Sequence, residues 1–182
     1  MKVFFAPHND DETLFGAFTI LRHRPLVIVC MKSQVQEDRG GPTAVEREKE
    51  TNRAMWWLGV EEWRQWEHSD REPDWGVVER SMQELDAEHE IDEVFAPIWE
   101  VGGHDHHNEI GFLAQEVFGD RLSCYYTYKR GNGRTKSLTP VEVDQPLWVI
   151  LKLKAMACYE SQIRLDNTRP WFLDEPIREY IA

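Results

Sequence analysis

Hydrophobic residues in this chain form two kinds of pattern that alternate along the sequence. Short, continuous apolar runs rich in β-branched and aromatic side chains predict buried strands. The clearest of these runs cover residues 3–6, 25–31 and 94–98. Elsewhere apolar residues recur every three or four positions, which predicts amphipathic helices. These helical patterns lie at residues 14–21, 43–58, 75–89, 110–117 and 147–163.

The alternation of strands and helices indicates an α/β fold, in which helices cover both faces of a mostly parallel sheet. Right-handed crossovers then place the loops that follow the strands at one edge of the sheet. A chain of 182 residues is long enough for one domain with a sizeable core. We therefore expect a single domain over residues 1–182, with a motif-bearing core over residues 1–120.

The chain after residue 120 has a different character. Residues 123–128 are typical of a strand, and the Arg-Gly-Asn-Gly-Arg sequence at 130–134 predicts a hairpin or a mobile loop. The pattern over 147–163 predicts one long helix. We expect the aromatic residues 171–173 and the final segment 176–181 to dock on the domain or on a partner subunit. The eight tryptophans leave room for a homo-oligomer without predicting one.

Charge and composition limit the partners that this protein can bind. Acidic residues outnumber basic ones by 33 to 21, which gives a formal net charge of -12. Because Lys and Arg drive binding to phosphate backbones and acidic membranes, this charge disfavours nucleic-acid and membrane partners. No signal peptide is recognisable, and no apolar stretch approaches the roughly 20 residues of a membrane span. We therefore expect a cytoplasmic protein, with a neutral or cationic substrate rather than a polyanion.

An unbroken polar run joins the first predicted strand to the first predicted helix. It reads Pro-His-Asn-Asp-Asp-Glu at residues 7–12. Asn and Asp at such a position are usually helix N-caps, and carboxylates suit the first turn. His8 favours a different interpretation, because an imidazole and the Asp11 carboxylate three residues later can hold one divalent cation. Asp10 would then be free to act as a base on water.

A second polar cluster follows the predicted strand at residues 94–98. Three of the seven histidines occupy four consecutive positions, as His104, His106 and His107. The carboxyl ends of parallel strands meet at one edge of a sheet, so this cluster and the hexapeptide can converge. A lone histidine in a loop is usually just solvated, whereas this clustering favours a site.

Three segments together resemble the LmbE-like (PIG-L) family of zinc-dependent N-acetylglucosamine de-N-acetylases. The hexapeptide is similar to the family's Pro-His-Pro-Asp-Asp-Glu signature, and residues 104–107 with Gly111 are similar to its His-Pro-Asp-His segment and following glycine. Between them lies a match to the family's Arg-x-x-Glu…Ala…Leu-Gly helix and its exit, made by Arg47, Glu50, Ala54, Leu58, Gly59 and Val60. The three segments come in the family's order.

The resemblance implies a Rossmann-like three-layer α/β/α sandwich with the active site at the C-terminal ends of the strands. It also implies roles for six residues: zinc binding by His8, Asp11 and His107, general-base catalysis by Asp10, oxyanion stabilisation by His104 and substrate binding by Arg47. A site with two histidines and one carboxylate also suits ferrous iron, so iron stays an alternative to zinc.

Two positions depart from the family pattern. Asn9 replaces a proline, which would loosen the turn without removing a chemical group. His106 stands where the family has an aspartate that orients the oxyanion histidine, a role that Asp105 could take from one position away.

The register of the histidine cluster has two solutions. One of them makes His106 the third metal ligand, but it puts Gly103 at the position of the oxyanion histidine. The other uses His104 and His107, and it keeps both histidines and the glycine at 111. We prefer this second register, because residues three apart in a helical first turn lie on one face.

The expected function is hydrolysis of an acetamide on an N-acetylglucosamine-type sugar or conjugate. One alternative is a catalytically degenerate metal- or sugar-binding module on the same fold. Another is a magnesium-dependent phosphoryl transfer that uses Asp10 and Asp11. The histidines argue against this last alternative, because magnesium prefers oxygen ligands.

Overall fold

The computed structural model describes residues 1–127, 139–165, 168–173 and 179–181. Within these residues, seven strands form one sheet. They are β1 (Lys2–Ala6), β2 (Leu26–Lys32), β3 (Trp63–Ser69), β4 (Glu93–Pro97), β5 (Leu122–Tyr125), β6 (Thr139–Pro140) and β7 (Tyr180–Ile181). Their order across the sheet is β3-β2-β1-β4-β5-β7-β6. β1 to β5 are parallel to one another, whereas β7 pairs antiparallel with both β5 and β6.

Helices connect most of these strands. They are α1 (Asp11–His23), α2 (Val35–Asp38), α3 (Ala44–Leu58), α4 (Trp75–Glu88), α5 (Asp105–Phe118), α6 (Pro146–Met156), α7 (Glu160–Ile163) and α8 (Arg169–Leu173), with a 3-10 turn at Gly119–Arg121. None of the helices in the described part of the chain is both long and apolar enough to cross a membrane.

The two faces of the sheet carry separate hydrophobic cores. Phe4 and Ala6 of β1 pack in one core with residues of α1, α3 and α6. Val3 and Phe5, on the opposite face, pack in the other core with residues of α4 and α5. Alternate residues of a strand point to opposite faces, so β1 is buried on both sides and reads as a continuous apolar run. The predicted Rossmann-like α/β/α sandwich is confirmed.

The position of β1 in the sheet brings the two polar clusters together. β1 lies between β2 and β4, with Val3 paired to Leu26 on one side and to Val94 on the other. Because all three strands are parallel, the segments after Ala6 and after Pro97 leave the same edge of the sheet. The predicted convergence of the hexapeptide with the histidine cluster therefore follows from the strand order.

The helix that carries Arg47 begins and ends where its sequence predicts. Thr43 and Glu46 form a reciprocal capping box: the Thr43 hydroxyl accepts from the Glu46 N–H at 3.1 Å, and the Glu46 carboxylate accepts from the Thr43 N–H at 2.7 Å. Gly59 ends the helix with φ 63°, a left-handed conformation that glycine adopts without strain. Both ends of α3 are thus fixed by the local sequence.

Two predictions for the last part of the chain need correction. The single helix over 147–163 is wrong: α6 ends at Met156, and α7 begins only at Glu160. The helix is interrupted between Met156 and Glu160 because the Tyr159 side chain turns inward and is fully buried. The strand predicted at 123–128 ends at Tyr125, and the predicted hairpin or loop at 130–134 lies outside the described residues.

A buried ion pair fastens the final described segment to α1. The Lys152 ammonium lies 2.6 Å from the Glu179 carboxylate, and both side chains are 1% exposed or less. Lys152 also donates to the Leu14 carbonyl at 2.8 Å, while Glu179 accepts from the Phe18 N–H at 2.9 Å. The described part of the predicted C-terminal segment, residues 179–181, therefore packs on the domain rather than away from it.

A close approach between α5 and β4 makes Gly111 a sensitive position. A methyl group at Gly111 would lie 2.1 Å from the Pro97 carbonyl oxygen, which is backbone and cannot rotate away. We expect Gly111→Ala to lower the free energy of unfolding by about 1–3 kcal/mol, the usual cost of overpacking, measured by urea denaturation. Gly76→Ala in α4 is the matched control: its nearest neighbour would lie at 3.4 Å, and we expect no loss of stability. Equal stability of the two variants would contradict the close packing of α5.

Candidate functional site

The hexapeptide forms a tight turn whose carboxylates do not cap the helix. Asp10 occupies the N-cap position of α1, yet its side chain makes no capping hydrogen bond. Its backbone has φ 107°, a conformation that costs energy for a residue with a side chain and is common at functional sites. The Glu12 carboxylate accepts from the Asp10 N–H at 2.9 Å and so helps to hold this turn. The helix-cap interpretation therefore does not account for Asp10.

Three of the predicted ligands meet at the end of β1. Asp11 Oδ2 lies 3.2 Å from His8 Nδ1 and 3.1 Å from His107 Nε2, and the two ring nitrogens are 3.3 Å apart. Ligand atoms held 2.0–2.1 Å from a tetrahedral zinc ion are separated by about 3.3 Å. These three side chains could therefore hold a zinc-sized ion with little movement.

The protonation states of this group suit a cation. Burial alone would raise the pKa of Asp11, but the charge and hydrogen bond of His107, together with those of His8, hold that pKa well below its usual range. Burial lowers the pKa of the His107 imidazole. A carboxylate at Asp11 and an unprotonated imidazole at His107 are the forms in which these groups bind metals, and both pKa shifts favour those forms.

Asp10 lies beside this group and pairs with Arg47. The Arg47 guanidinium is 3.2 Å from Asp10 Oδ2 and also donates to the Asn9 carbonyl. Burial raises the pKa of Asp10 to about 6, although the Arg47 charge opposes the rise. A carboxylate that titrates near neutral pH is well placed to take a proton from water and return it.

The predicted substrate contact Arg47 is buried behind Asp10 and still forms part of the cavity wall. Its side chain is 2% exposed. Its Nε and Nη1 atoms have no hydrogen-bond partner among the described residues. Buried guanidinium N–H groups without a partner are costly, so Arg47 is held here at the expense of stability.

His104 and His106 extend the site outward from His8. The His104 ring centroid lies 5.1 Å from that of His8 and 5.1 Å from that of His107, so the predicted register brings His104 and His107 to the same side of α5. His106 Nδ1 lies 2.9 Å from His8 Nε2. Burial and the neighbouring rings lower the pKa of both His104 and His106 to about 4. Asp105, considered as a partner for His104, is an exposed residue at the start of α5.

Asn9 fixes the turn rather than loosening it, which corrects the expectation from the missing proline. The Asn9 side-chain amide donates to Thr51 Oγ1 at 2.9 Å and to Gln65 Oε1 at 2.8 Å, and its carbonyl accepts from the Ser33 hydroxyl at 3.2 Å. These bonds join the turn to α3, to β3 and to the end of β2. The sequence shows that a polar residue replaces the proline at position 9. It does not show the hydrogen-bond partners of Asn9, because they are far away in sequence.

Tyr159 is a second supporting residue whose role sequence analysis missed. Its hydroxyl donates to Glu12 Oε1 and lies 3.1 Å from Thr51 Oγ1. Burial raises the pKa of Glu12 to about 7, and burial together with the Glu12 charge raises that of the Tyr159 phenol. Two residues on, the Ser161 hydroxyl and N–H both donate to Glu50 of α3. The residues at the break between α6 and α7 therefore hold Glu12, in the turn at residues 7–12, and Glu50 of α3.

A cavity of about 330 Å³ opens directly above these groups. Gln36 of α2 and Gln162 of α7 form a reciprocal amide pair, with N···O distances of 3.1 and 2.8 Å, and so join two parts of its wall. Of the side chains described above, those that line the cavity are His8, Asp10, Arg47, His104 and His106. The cavity is large enough for a small organic molecule and places it against Asp10 and the imidazoles.

Comparison with known families gives a direct match. The sequence model of the family described as GlcNAc-PI de-N-acetylase (PIG-L) matches residues 3–118, which is more than half of the chain. The match includes every predicted site residue. No curated protein matches this sequence.

Solved structures share the fold at low sequence identity. N,N'-diacetylchitobiose deacetylase from Pyrococcus horikoshii has a TM-score of 0.74 and 21% identity, covering 96% of this chain and 74% of its own. The A40926 pseudoaglycone deacetylase Dbv21 has a TM-score of 0.70 and 16% identity, covering 99% and 93%. The 4-carboxy-2-hydroxymuconate hydratase GalB from Pseudomonas putida KT2440 has a TM-score of 0.65 and 13% identity, covering 94% and 83%. The same fold thus serves different reactions, and the reaction must be argued from the site.

Proposed function

This chain belongs to the GlcNAc-PI de-N-acetylase (PIG-L) family, and from that premise we propose that it is a metal-dependent hydrolase acting on an N-acetylated amino sugar. One observation carries the proposal: His8, Asp11 and His107 converge within 3.3 Å of one another, with the buried Asp10 carboxylate beside them. A helix cap or a surface charge cluster has no need of such an arrangement.

The residues would divide the reaction as follows. His8, Asp11 and His107 would hold the zinc ion, which would supply Lewis-acid chemistry: it would polarise the acetamide carbonyl and make water more acidic. Asp10 takes a proton as water attacks the acetamide carbonyl carbon. His104 donates a hydrogen bond to the carbonyl oxygen as that oxygen gains charge, and such a donor is typically worth about 10² to 10³ in turnover. Asp10 then returns its proton to the nitrogen, the C–N bond breaks, and the free amine and acetic acid leave, the acid giving its proton to solvent.

Arg47 has two proposed duties. Its ion pair with Asp10 holds that carboxylate in place, and its guanidinium would contact the sugar from the cavity wall. The family resemblance supports the second duty, and the position of Arg47 in the cavity wall is consistent with it.

Zinc is the proposed ion, with ferrous iron as the alternative that the same ligands permit. The substrate class is a small N-acylated amino sugar or glycoconjugate. The neutral-to-cationic preference inferred from the net charge agrees with such a substrate. A single domain and a cytoplasmic location stay predictions.

The test combines elemental analysis with an assay of amine release. Purified protein is incubated with a panel of N-acetylglucosamine derivatives, with and without a chelator, and then with zinc or ferrous iron restored. We expect about one ion per chain at low metal supply, amine release that the chelator abolishes, and recovery with one of the two ions. Bound metal without amine release from any compound would favour the binding-module alternative. No bound metal after both ions are supplied would overturn the proposal.

A further inference from the structure

We propose that this chain holds a second divalent metal ion between His8, His104 and His106, adjacent to the first and sharing the His8 imidazole with it. The inference rests on the proposed function, because His8 also belongs to the first metal group and His104 is the proposed oxyanion donor. His104 Nδ1 accepts from the His106 N–H, so an ion on His104 Nε2 would replace that donation. The inference goes beyond that function in assigning a site to His106, which the hydrolytic scheme does not use.

The two ring nitrogens of His8 lie beside different partners. Its Nδ1 atom lies 3.2 Å from Asp11 Oδ2 and 3.3 Å from His107 Nε2, which are the first metal group. Its Nε2 atom lies 2.9 Å from His106 Nδ1, on the other side of the ring. One imidazole can bind two ions through its two nitrogens, so the two groups do not compete for a single atom.

We call His8, His104 and His106 the outer group and His8, Asp11 and His107 the inner group. The ring nitrogens of the outer group lie close enough together to bind one ion. One ring nitrogen from each of His8, His104 and His106 lies within 4.8 Å of the others, as do the ligand atoms of the first group. The ring centroid of His106 is 4.9 Å from that of His104 and 5.1 Å from that of His8. Ligand atoms of a tetrahedral zinc ion are about 3.3 Å apart. Small side-chain rotations would bring the three ring nitrogens to this spacing.

The surroundings of the outer group leave room for a further ligand. All three histidines line the cavity, so water or a substrate oxygen could complete the coordination. Three imidazoles without a carboxylate suit zinc, nickel or copper, and they disfavour magnesium and calcium. His106 stands where the family resemblance expects an aspartate, so the outer group is a feature of this sequence.

Binding of the second ion has a defined proton balance. A hydrogen bond between His8 Nε2 and His106 Nδ1 needs one ring proton between the two nitrogens. When the ion binds both atoms, it takes the place of that proton, which leaves to solvent. No redox change is involved, and the protein loses one proton for each outer ion bound.

Zinc stoichiometry tests the inference independently of activity. Metal-free protein is dialysed to equilibrium against zinc in large excess, and zinc per chain is measured by mass spectrometry of the elements. We expect two ions per chain for the unchanged protein and one for His106→Asn. His104→Asn should also bind one, and it keeps a side-chain acceptor at the N-cap of α5, where His104 Nδ1 now accepts from the His106 N–H.

The matched control is His89→Asn, a partly buried histidine that follows α4 outside both groups. It should bind two ions, which excludes loss of an adventitious surface site as the cause. Circular dichroism would verify that each variant is folded. One ion in the unchanged protein at any zinc excess, or two ions in His106→Asn, would overturn the inference.

The results separate this inference from the proposed function. One ion per chain with chelator-sensitive amine release would overturn the second site and leave the hydrolase intact. Two ions per chain at zinc excess, with no amine release even when only one equivalent of zinc is supplied, would support the second site while the hydrolase proposal fails.

Discussion

Asp10→Asn is expected to reduce amine release by about 10² to 10⁴, the range for loss of a general base, while the protein keeps its zinc. Asparagine has nearly the size of aspartate and tolerates the left-handed backbone at this position, where φ is 107°. It cannot take a proton from water, so the chemical step should fail although the turn survives. Turnover of the saturated enzyme and zinc per chain are the two quantities to measure.

Asp70→Asn provides the matched control for that experiment. Asp70 is another buried carboxylate in the cavity wall, but its oxygen accepts from the backbone N–H groups of Gln34 and Val35, at 2.7 and 3.1 Å. An asparagine oxygen can accept the same bonds, so most of the activity should remain. Undiminished turnover in Asp10→Asn would remove Asp10 from the mechanism.

His107→Asn is expected to abolish tight metal binding and amine release together. His107 is 1% exposed and its Nε2 atom lies 3.1 Å from Asp11 Oδ2, at the centre of the inner group. Removing a residue that hydrogen-bonds to a metal ligand typically weakens metal affinity by about 10- to 100-fold. Removing the ligand itself should weaken the affinity further. Zinc retained after gel filtration of protein loaded with one equivalent measures the effect.

The same measurement on His106→Asn decides the register of the histidine cluster. We expect this variant to retain the first zinc ion, because His106 faces only the outer nitrogen of His8. The opposite result, with zinc lost from His106→Asn and kept by His107→Asn, would assign the third ligand to His106.

Sequence patterns were sufficient for the parts of this molecule that are determined locally. The runs at 3–6, 25–31 and 94–98 became the central strands because they are apolar on both faces, as parallel strands require. Capping residues and a left-handed glycine fixed both ends of α3. The convergence of His8, Asp11 and His107 was also predictable, because His8 and Asp11 share one turn and strand order brings His107 to the same edge.

Residues whose importance depends on distant partners were not predictable in this way. Tyr159 continues a helical pattern, and only its contact with Glu12 explains why the helix breaks there. Asn9 differs from the family residue, yet its hydrogen bonds to Thr51 and Gln65 depend on how α3 and β3 lie against β1. His106 is one of three neighbouring histidines, and only the fold shows that its Nδ1 atom lies beside His8 Nε2 while His107 Nε2 lies beside His8 Nδ1.

The continuation of the sheet beyond residue 118 matters for anyone who clones part of this gene. A fragment ending where the family match ends would lack β5, so β4 would present an unpaired edge, a common start of aggregation. It would also lack Tyr125, whose hydroxyl donates to the Phe5 carbonyl at 2.8 Å, and Tyr159, which donates to Glu12. Such a fragment would contain every catalytic candidate, yet it should accumulate as insoluble protein.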